Sequence, residues 1–256
     1  ALGFVRGKWN RRDLSNPMLL AKCCHDLDLL AWFLSGTPPV RVASFGALSQ
    51  FRPENAPAGS TARCLDGCAL EATCPYSARL NYIVQGLWEF YAWEMFEQPE
   101  RLTAADKLAS LKGDNPYGRC VWRCDNDVVD HQSVLVEFAD GATATHDMFC
   151  ATARPTRTLH VIGEKGEIEG DLEAGRLVLR RPDSRPGPGY VETLEDLAVK
   201  GDPHGGGDLK LVDDFVSVLR GEPASRASTR IEDSLFGHLI AFAADRAMLA
   251  HQVVEL

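Results

Sequence analysis

Between residues 130 and 181 the chain keeps a period of two through consecutive segments, with no helical pattern between them. HQSVLVEFADGATATHDMFC alternates apolar and polar residues on either side of Asp140-Gly141, a dipeptide suited to a hairpin turn. Further strands are expected over 157–163, 166–172 and 176–181, joined at Glu164-Lys165-Gly166 and Glu173-Ala174-Gly175. Strands clustered together, not alternating with helices, indicate a largely antiparallel sheet. The expected class is therefore α+β, a mostly antiparallel β-sheet with helices packed on one face. Leu135, Phe149, Leu159 and Val161 are too many apolar residues to hide under helices alone. The second face is expected to join subunits in a homodimer or higher homo-oligomer.

Helical patterns flank this block. Pro17 opens one that runs to about Leu34 and stops at Ser35-Gly36-Thr37-Pro38-Pro39, with Pro inside the start and Gly past the end. A strand follows over 40–49, then a Pro/Ala-rich loop over 52–59 and a Cys-rich stretch from Cys64 to Cys74. Two helices are expected over 77–96 and 103–111. A turn-rich link covers 181–189, and the last two helices cover 208–219, N-capped by Asp208, and 231–251. Residues 1–256 read as a single domain carrying a Cys-rich insertion at about 60–76.

Composition narrows the function. There are 27 Lys and Arg against 36 Asp and Glu, a net charge of -9, and no basic block, so a nucleic-acid-tracking surface is not expected. No apolar run spans a bilayer, and no signal-peptide core opens the chain, which points to a cytoplasmic protein without a membrane partner. Eight cysteines in such a compartment read as reduced thiols or metal ligands.

The first long helix holds the strongest chemical candidate. Leu20, Cys23, Leu27, Leu30, Ala31 and Leu34 share one apolar face at 100° per residue. Lys22, His25 and Asp26 lie roughly opposite, followed on that side by Leu29, Trp32 and Phe33. A polar start running into aromatics describes a helix covered on both sides whose first turns open into a pocket. A partly desolvated His25 beside Lys22 there is placed for proton transfer. The plainer alternative is local backbone capping by His25 and an ordinary ion pair by Asp26.

His25-Asp26-Leu27-Asp28 with Trp32-Phe33-Leu34-Ser35-Gly36 resembles the HDxD…WxxG helix of the Gfo/Idh/MocA oxidoreductases. Phe138 with Asp140-Gly141-Ala142, Gly163 to Gly166, Gly205 to Asp208, and Ile231 to Ser234 resemble further motifs of that family in the same order. The resemblance runs from about residue 4 to the end. It implies the family's C-terminal domain, a large open-faced sheet that binds substrate and assembles subunits. It also implies NAD or NADP chemistry at a carbinol carbon of a sugar- or polyol-like small molecule. His25 matches the family's acid/base histidine. Many members carry Asp four residues before it, where this chain has Ala21, and Lys22 would then supply part of that role electrostatically.

No G-x-G-x-x-G follows a strand here, so no Rossmann domain is expected in this chain, no residue of it is assigned to the cofactor, and the chain alone is expected to be inactive. The family's dinucleotide-binding Rossmann domain is expected upstream, with the entrance to it lined by Trp9, Arg6 and Lys8. The alternative from a different class is a non-catalytic binding or scaffold domain of the same fold.

Two further clusters stand out. Cys64, Cys68 and Cys74 form C-x3-C-x5-C, three thiols that can converge on a structural zinc, with Cys120, Cys124 or His131 as the fourth ligand. The competing reading packs them as small reduced hydrophobes. Arg119, Arg123, Asn126, Asp127 and His131 lie in the densest charged run outside the helices, which reads either as a solvated loop or as a substrate-binding segment. His204, ahead of the triple glycine, is a further candidate ligand contact.

Overall fold

The computed structural model describes residues 2–197 and 206–256. Helices α1 (Leu2–Val5), α2 (Met18–Lys22) and α3 (Cys24–Phe33) precede strand β1 (Pro39–Ala47). Short helices α4 (Glu89–Ala92) and α5 (Ala104–Lys112) follow. The six strands after them are β2 (His131–Phe138), β3 (Thr143–Phe149), β4 (Thr158–Gly163), β5 (Gly166–Asp171), β6 (Arg176–Pro182) and β7 (Tyr190–Asp196). Helices α6 (Gly207–Leu219) and α7 (Ile231–Ala250) and strand β8 (Val254–Glu255) complete the chain. The class is α+β, and every strand pairing among the described residues is antiparallel.

The chain divides into two compact units, 1–151 with 229–256, and 152–228. In the first, the sheet runs β3-β2-β1-β8. Val134, Val136 and Phe138 of β2 and Val42 of β1 point inward, as period-two alternation requires, and are buried with Leu19 of α2, Leu27 of α3 and Ile240 and Ala244 of α7. Phe45, Leu135 and Phe149 point the other way and are exposed. Helix α7 approaches α3 closely at Gly237, where a Cβ would sit 3.1 Å from Asp28 N and 3.2 Å from the Leu27 carbonyl carbon.

A separate apolar cluster in the same unit joins the Cys-rich stretch to 76–122, with Trp93, Tyr82, Phe51, Leu111 and Val121 buried at its centre. The second unit has the sheet β4-β5-β6-β7 and α6. None of its described residues is buried.

Several local expectations change. The first long helix is interrupted at Cys23 (φ -106°, ψ 12°), so it becomes α2 and α3. The helix expected over 77–96 is reduced to a π-turn at Leu80–Val84 and to α4, because Gly86 (φ 64°) and Trp88 (φ 58°) take left-handed backbone between them. Helix α6 is N-capped by Gly206, not Asp208, which lies in its first turn. Strands β7 and β8 lie outside the expected pattern. The hairpin at Asp140-Gly141 forms as expected, with Gly141 at φ 87°.

Candidate functional site

Consecutive residues of a helix point 100° apart, and the motif at the start of α3 uses that rotation. His25 is exposed on the first turn, with only Cys24 Sγ near its Nδ1 (3.4 Å) among the described contacts. Asp26 points beneath the helix, where its Oδ2 lies 3.9 Å from His146 Nε2 of β3. Asp28 points toward α7 and accepts a hydrogen bond from Ser234 Oγ (2.9 Å). Lys22, exposed, ends the preceding helix α2. One motif residue therefore faces solvent while the other two hold the helix to the sheet and to α7.

The expectation of a partly desolvated His25 changes accordingly: the residue is exposed on this chain. Beneath it, Cys23 Sγ, an Asp26 carboxylate oxygen and a His146 ring nitrogen lie within 4.8 Å of one another. Burial, and then the neighbouring Asp26, push the Cys23 thiol up to about 12, so it remains protonated at neutral pH. His146 Nδ1 is buried without a hydrogen-bond partner in the protein. Sequence reasoning missed His146. The signal was a polar residue at an inward-facing position of an alternating strand.

The charged run at 119–131 is mostly engaged internally. Arg119 donates to Asp125 Oδ1 (2.5 Å), to the Arg6 carbonyl (2.7 Å) and to the Pro116 carbonyl (3.3 Å). Asn126 is buried; its Nδ2 donates to the Phe51 carbonyl (3.4 Å), and its Oδ1 has no partner. Asp127 accepts from the Arg12 backbone N–H (2.7 Å). His131 lies 3.0 Å from Asp130 and stacks on Phe149 on the outward sheet face. Arg123 is exposed, meeting Ser60 Oγ at 3.4 Å. Asp130 receives the backbone N–H groups of Ser49, Gln50 and Phe51. Burial alone would raise its pKa, but the His131 contact and these three donors outweigh that and hold it below the ordinary carboxylate range.

No hydrogen bond among the described residues links His25 or Lys22 to Arg119, Arg123, Asn126, Asp127 or His131. His204 lies outside the described residues. Arg119 does line an open cleft of about 260 Å³ with Lys8, Asn10, Tyr91, Glu94 and Tyr117. That volume is near the lower end for small-molecule sites. Trp9 stacks on Phe4 and packs edge-on against Tyr91 at the edge of this cleft.

Cys64, Cys68 and Cys74 line one small cavity, and Cys120 joins them there. No three of these sulfurs lie within 4.8 Å of one another; among the described residues only the Cys23, Asp26 and His146 group does. All eight cysteines are free thiols.

The antiparallel α+β architecture and the HDxD helix now stand beside a direct comparison. A sequence model described as the oxidoreductase family, C-terminal alpha/beta domain, of the Gfo/Idh/MocA group matches residues 2–228. The chain belongs to this family. Its fold matches that of levoglucosan dehydrogenase in complex with NADH and levoglucosan, at a TM-score of 0.55 and 13% identity over 96% of this chain and 53% of the other. It also matches an oxidoreductase domain protein from Kribbella flavida, at 0.56 and 15% over 95% and 52%. A third match is the super-repressor mutant of Gal80p from Saccharomyces cerevisiae, at 0.54 and 8% over 96% and 51%. This Gfo/Idh/MocA chain thus spans about half the length of these solved structures. No curated protein matches its sequence. None of the helices is long and apolar enough to cross a membrane among the described residues.

Proposed function

We propose that this chain is the substrate-side and oligomerisation domain of an NAD(P)-dependent dehydrogenase acting on a sugar- or polyol-like alcohol. The observation that carries the reading is the solvent-facing His25 on a family-matched helix whose two neighbouring carboxylates are committed to structure. An imidazole so placed is held by its scaffold and left open to whatever docks above it.

The described residues do not themselves fit a dinucleotide. They hold no strand–glycine-loop–helix unit, and antiparallel pairing lacks the crossover whose helix N-terminus would receive a pyrophosphate. NAD or NADP is assigned instead to a Rossmann domain expected ahead of this one, and the chain alone is expected to be inactive. A nicotinamide held by such a domain would supply hydride transfer at the carbinol carbon. The part left to this chain is the proton: His25 accepts it from the hydroxyl oxygen during oxidation and returns it during reduction. Lys22 favours the developing alkoxide electrostatically, and the 119–131 segment, with Arg123 the most available donor, orients the hydroxyls or an anionic group of the substrate.

In the complete enzyme, His25→Ala is expected to lower turnover by about 10²–10⁴-fold, the usual worth of a positioned acid/base. Turnover within threefold of the parent would remove His25 from its role. Tight binding of the alcohol with no NAD(P)-linked oxidation in the complete protein would instead favour a scaffold of the same fold.

A further inference from the structure

The Arg6 guanidinium is fully buried. Its Nε donates to the Arg119 carbonyl (2.6 Å), Nη1 to the Tyr82 hydroxyl (3.2 Å), and Nη2 to the Tyr76 carbonyl (2.7 Å) and to Cys64 Sγ (3.3 Å). No carboxylate pairs with it among the described residues. A buried cation surrounded only by neutral groups is costly by several kcal/mol, and proteins rarely keep one without a counter-charge. A guanidinium is not deprotonated in proteins, so the group stays charged.

The atom that faces Arg6 belongs to a set of four. Cys64 and Cys120 occupy neighbouring rungs of a short ribbon: the Cys64 N–H donates to the Gly118 carbonyl (3.0 Å), the Cys120 N–H donates to that of Ala62 (2.9 Å), and Arg63 bridges Arg119 between them. Cys68 and Cys74 flank a tight turn in which the Cys74 N–H reaches the Leu70 carbonyl (2.8 Å). All four line the same cavity of about 10 Å³, room for a single atom-sized guest. The carboxylate on its wall, Glu71, is already taken by Arg79 and Ser77. Of the other candidate ligands, Cys124 donates its thiol to the Cys120 carbonyl, and His131 is held on the outward sheet face by Asp130 and Phe149.

We infer that Cys64, Cys68, Cys74 and Cys120 form a tetrathiolate site for a zinc ion, with Arg6 as its buried counter-cation. Binding releases four thiol protons to solvent and leaves a cluster of charge -2, which Arg6 partly neutralises through its Nη2–H···Sγ contact. No three of these sulfurs lie within 4.8 Å of one another, whereas about 2.3 Å from zinc to each sulfur in a tetrahedral site places all four about 3.8 Å apart. The ion therefore draws them together. Residues 64–76 contain no regular helix or strand to resist this. The site is independent of the dehydrogenase reading, since its metal content is measurable without turnover.

The test is metal stoichiometry by plasma mass spectrometry on the purified chain, reduced, given one equivalent of Zn²⁺ and then dialysed. A parallel Co²⁺ titration follows the thiolate-to-metal charge-transfer band. One metal per chain is expected, with the intense band and d–d features of a tetrahedral sulfur site. Cys68→Ser, at one of the two half-buried members of the set, should weaken Zn²⁺ at least tenfold and reduce the charge-transfer intensity, whereas Cys124→Ser should change neither. Arg6→Met should weaken Zn²⁺ by about ten- to hundredfold, the usual cost of removing an outer-shell partner; where that variant fails to fold, Arg6→Lys, which keeps the charge, should retain metal. Parent protein without bound metal or band would overturn the inference, as would a disulfide within the set in its place. Equal losses in Cys68→Ser and Cys124→Ser would also overturn it.

Discussion

Asp130 is the residue at which burial, hydrogen bonding and pH meet most directly, and Asp130→Ala tests the argument. Its carboxylate accepts the N–H groups of Ser49 (3.1 Å), Gln50 (2.6 Å) and Phe51 (3.2 Å), closing the turn that leaves β1, and it also contacts His131. Ser49 and Gln50 are exposed, so water can replace the lost acceptor there, but Phe51 is 1% exposed and its N–H would be stranded. One stranded buried donor costs about 1–3 kcal/mol, and two wetted ones add a few tenths each, giving a destabilisation of about 1.5–3.5 kcal/mol. The folded carboxyl titrates below its unfolded value of about 3.9, so the folded state holds it deprotonated where the unfolded chain begins to bind a proton. Its stabilisation is therefore complete above about pH 4 and is lost as pH falls through the lower folded value. Urea unfolding of parent and variant from pH 7 to pH 3 should show a gap that is largest at neutral pH and narrows on acidification. A gap below 0.5 kcal/mol at pH 7, or one that widens in acid, would refute the reasoning.

Two further outcomes follow from the packing. Gly237→Ala places a methyl about 3.1 Å from the α3 backbone, which cannot rotate aside, so a loss of about 1–3 kcal/mol is expected in urea unfolding. If the outward face of β1–β3 joins subunits as proposed, Leu135→Glu, at a position 51% exposed in the isolated chain, should shift sedimentation toward monomer while leaving the circular dichroism spectrum unchanged.

The antiparallel sheet was legible because turn chemistry and alternation agree: Asp140-Gly141 and Glu164-Lys165-Gly166 both close hairpins between strands of matching phase. Strand β7, YVETLED, escaped notice because all seven of its residues are exposed, so no buried face imposed an alternation to read. Strand β8 has only two residues, and its pairing with Arg41 and Val42 is set by where α7 delivers the chain. The 77–96 stretch misled because its aromatic spacing satisfies a helix, while Gly86 and Trp88 take left-handed backbone that no periodicity encodes. At the site, the HDxD motif identified the helix but not the His146 beneath it, since partners across a sheet are separated by more than a hundred residues. The cavity likewise joins Cys120 to Cys64 through a bridge at 63 and 119 that no local spacing encodes.

Because one fold serves both levoglucosan dehydrogenase and Gal80p, architecture cannot decide chemistry, and the decisive property is how the HDxD residues divide their labour. If His25 is reserved for a ligand, the fold does not need it. His25→Ala should then stay within about 0.5 kcal/mol of the parent in urea, as substitutions at exposed positions do. Asp28→Ala should lose about 1–2 kcal/mol, because it strips the Ser234 hydroxyl of its partner at the α3–α7 contact. Structure and activity should therefore come apart within four residues: a stable His25 variant with depressed turnover in the complete enzyme, beside an Asp28 variant whose losses follow its stability. If His25→Ala unfolded as readily as Asp28→Ala, the imidazole would be a structural element, and a motif shared with oxidoreductases would carry no chemistry in this chain.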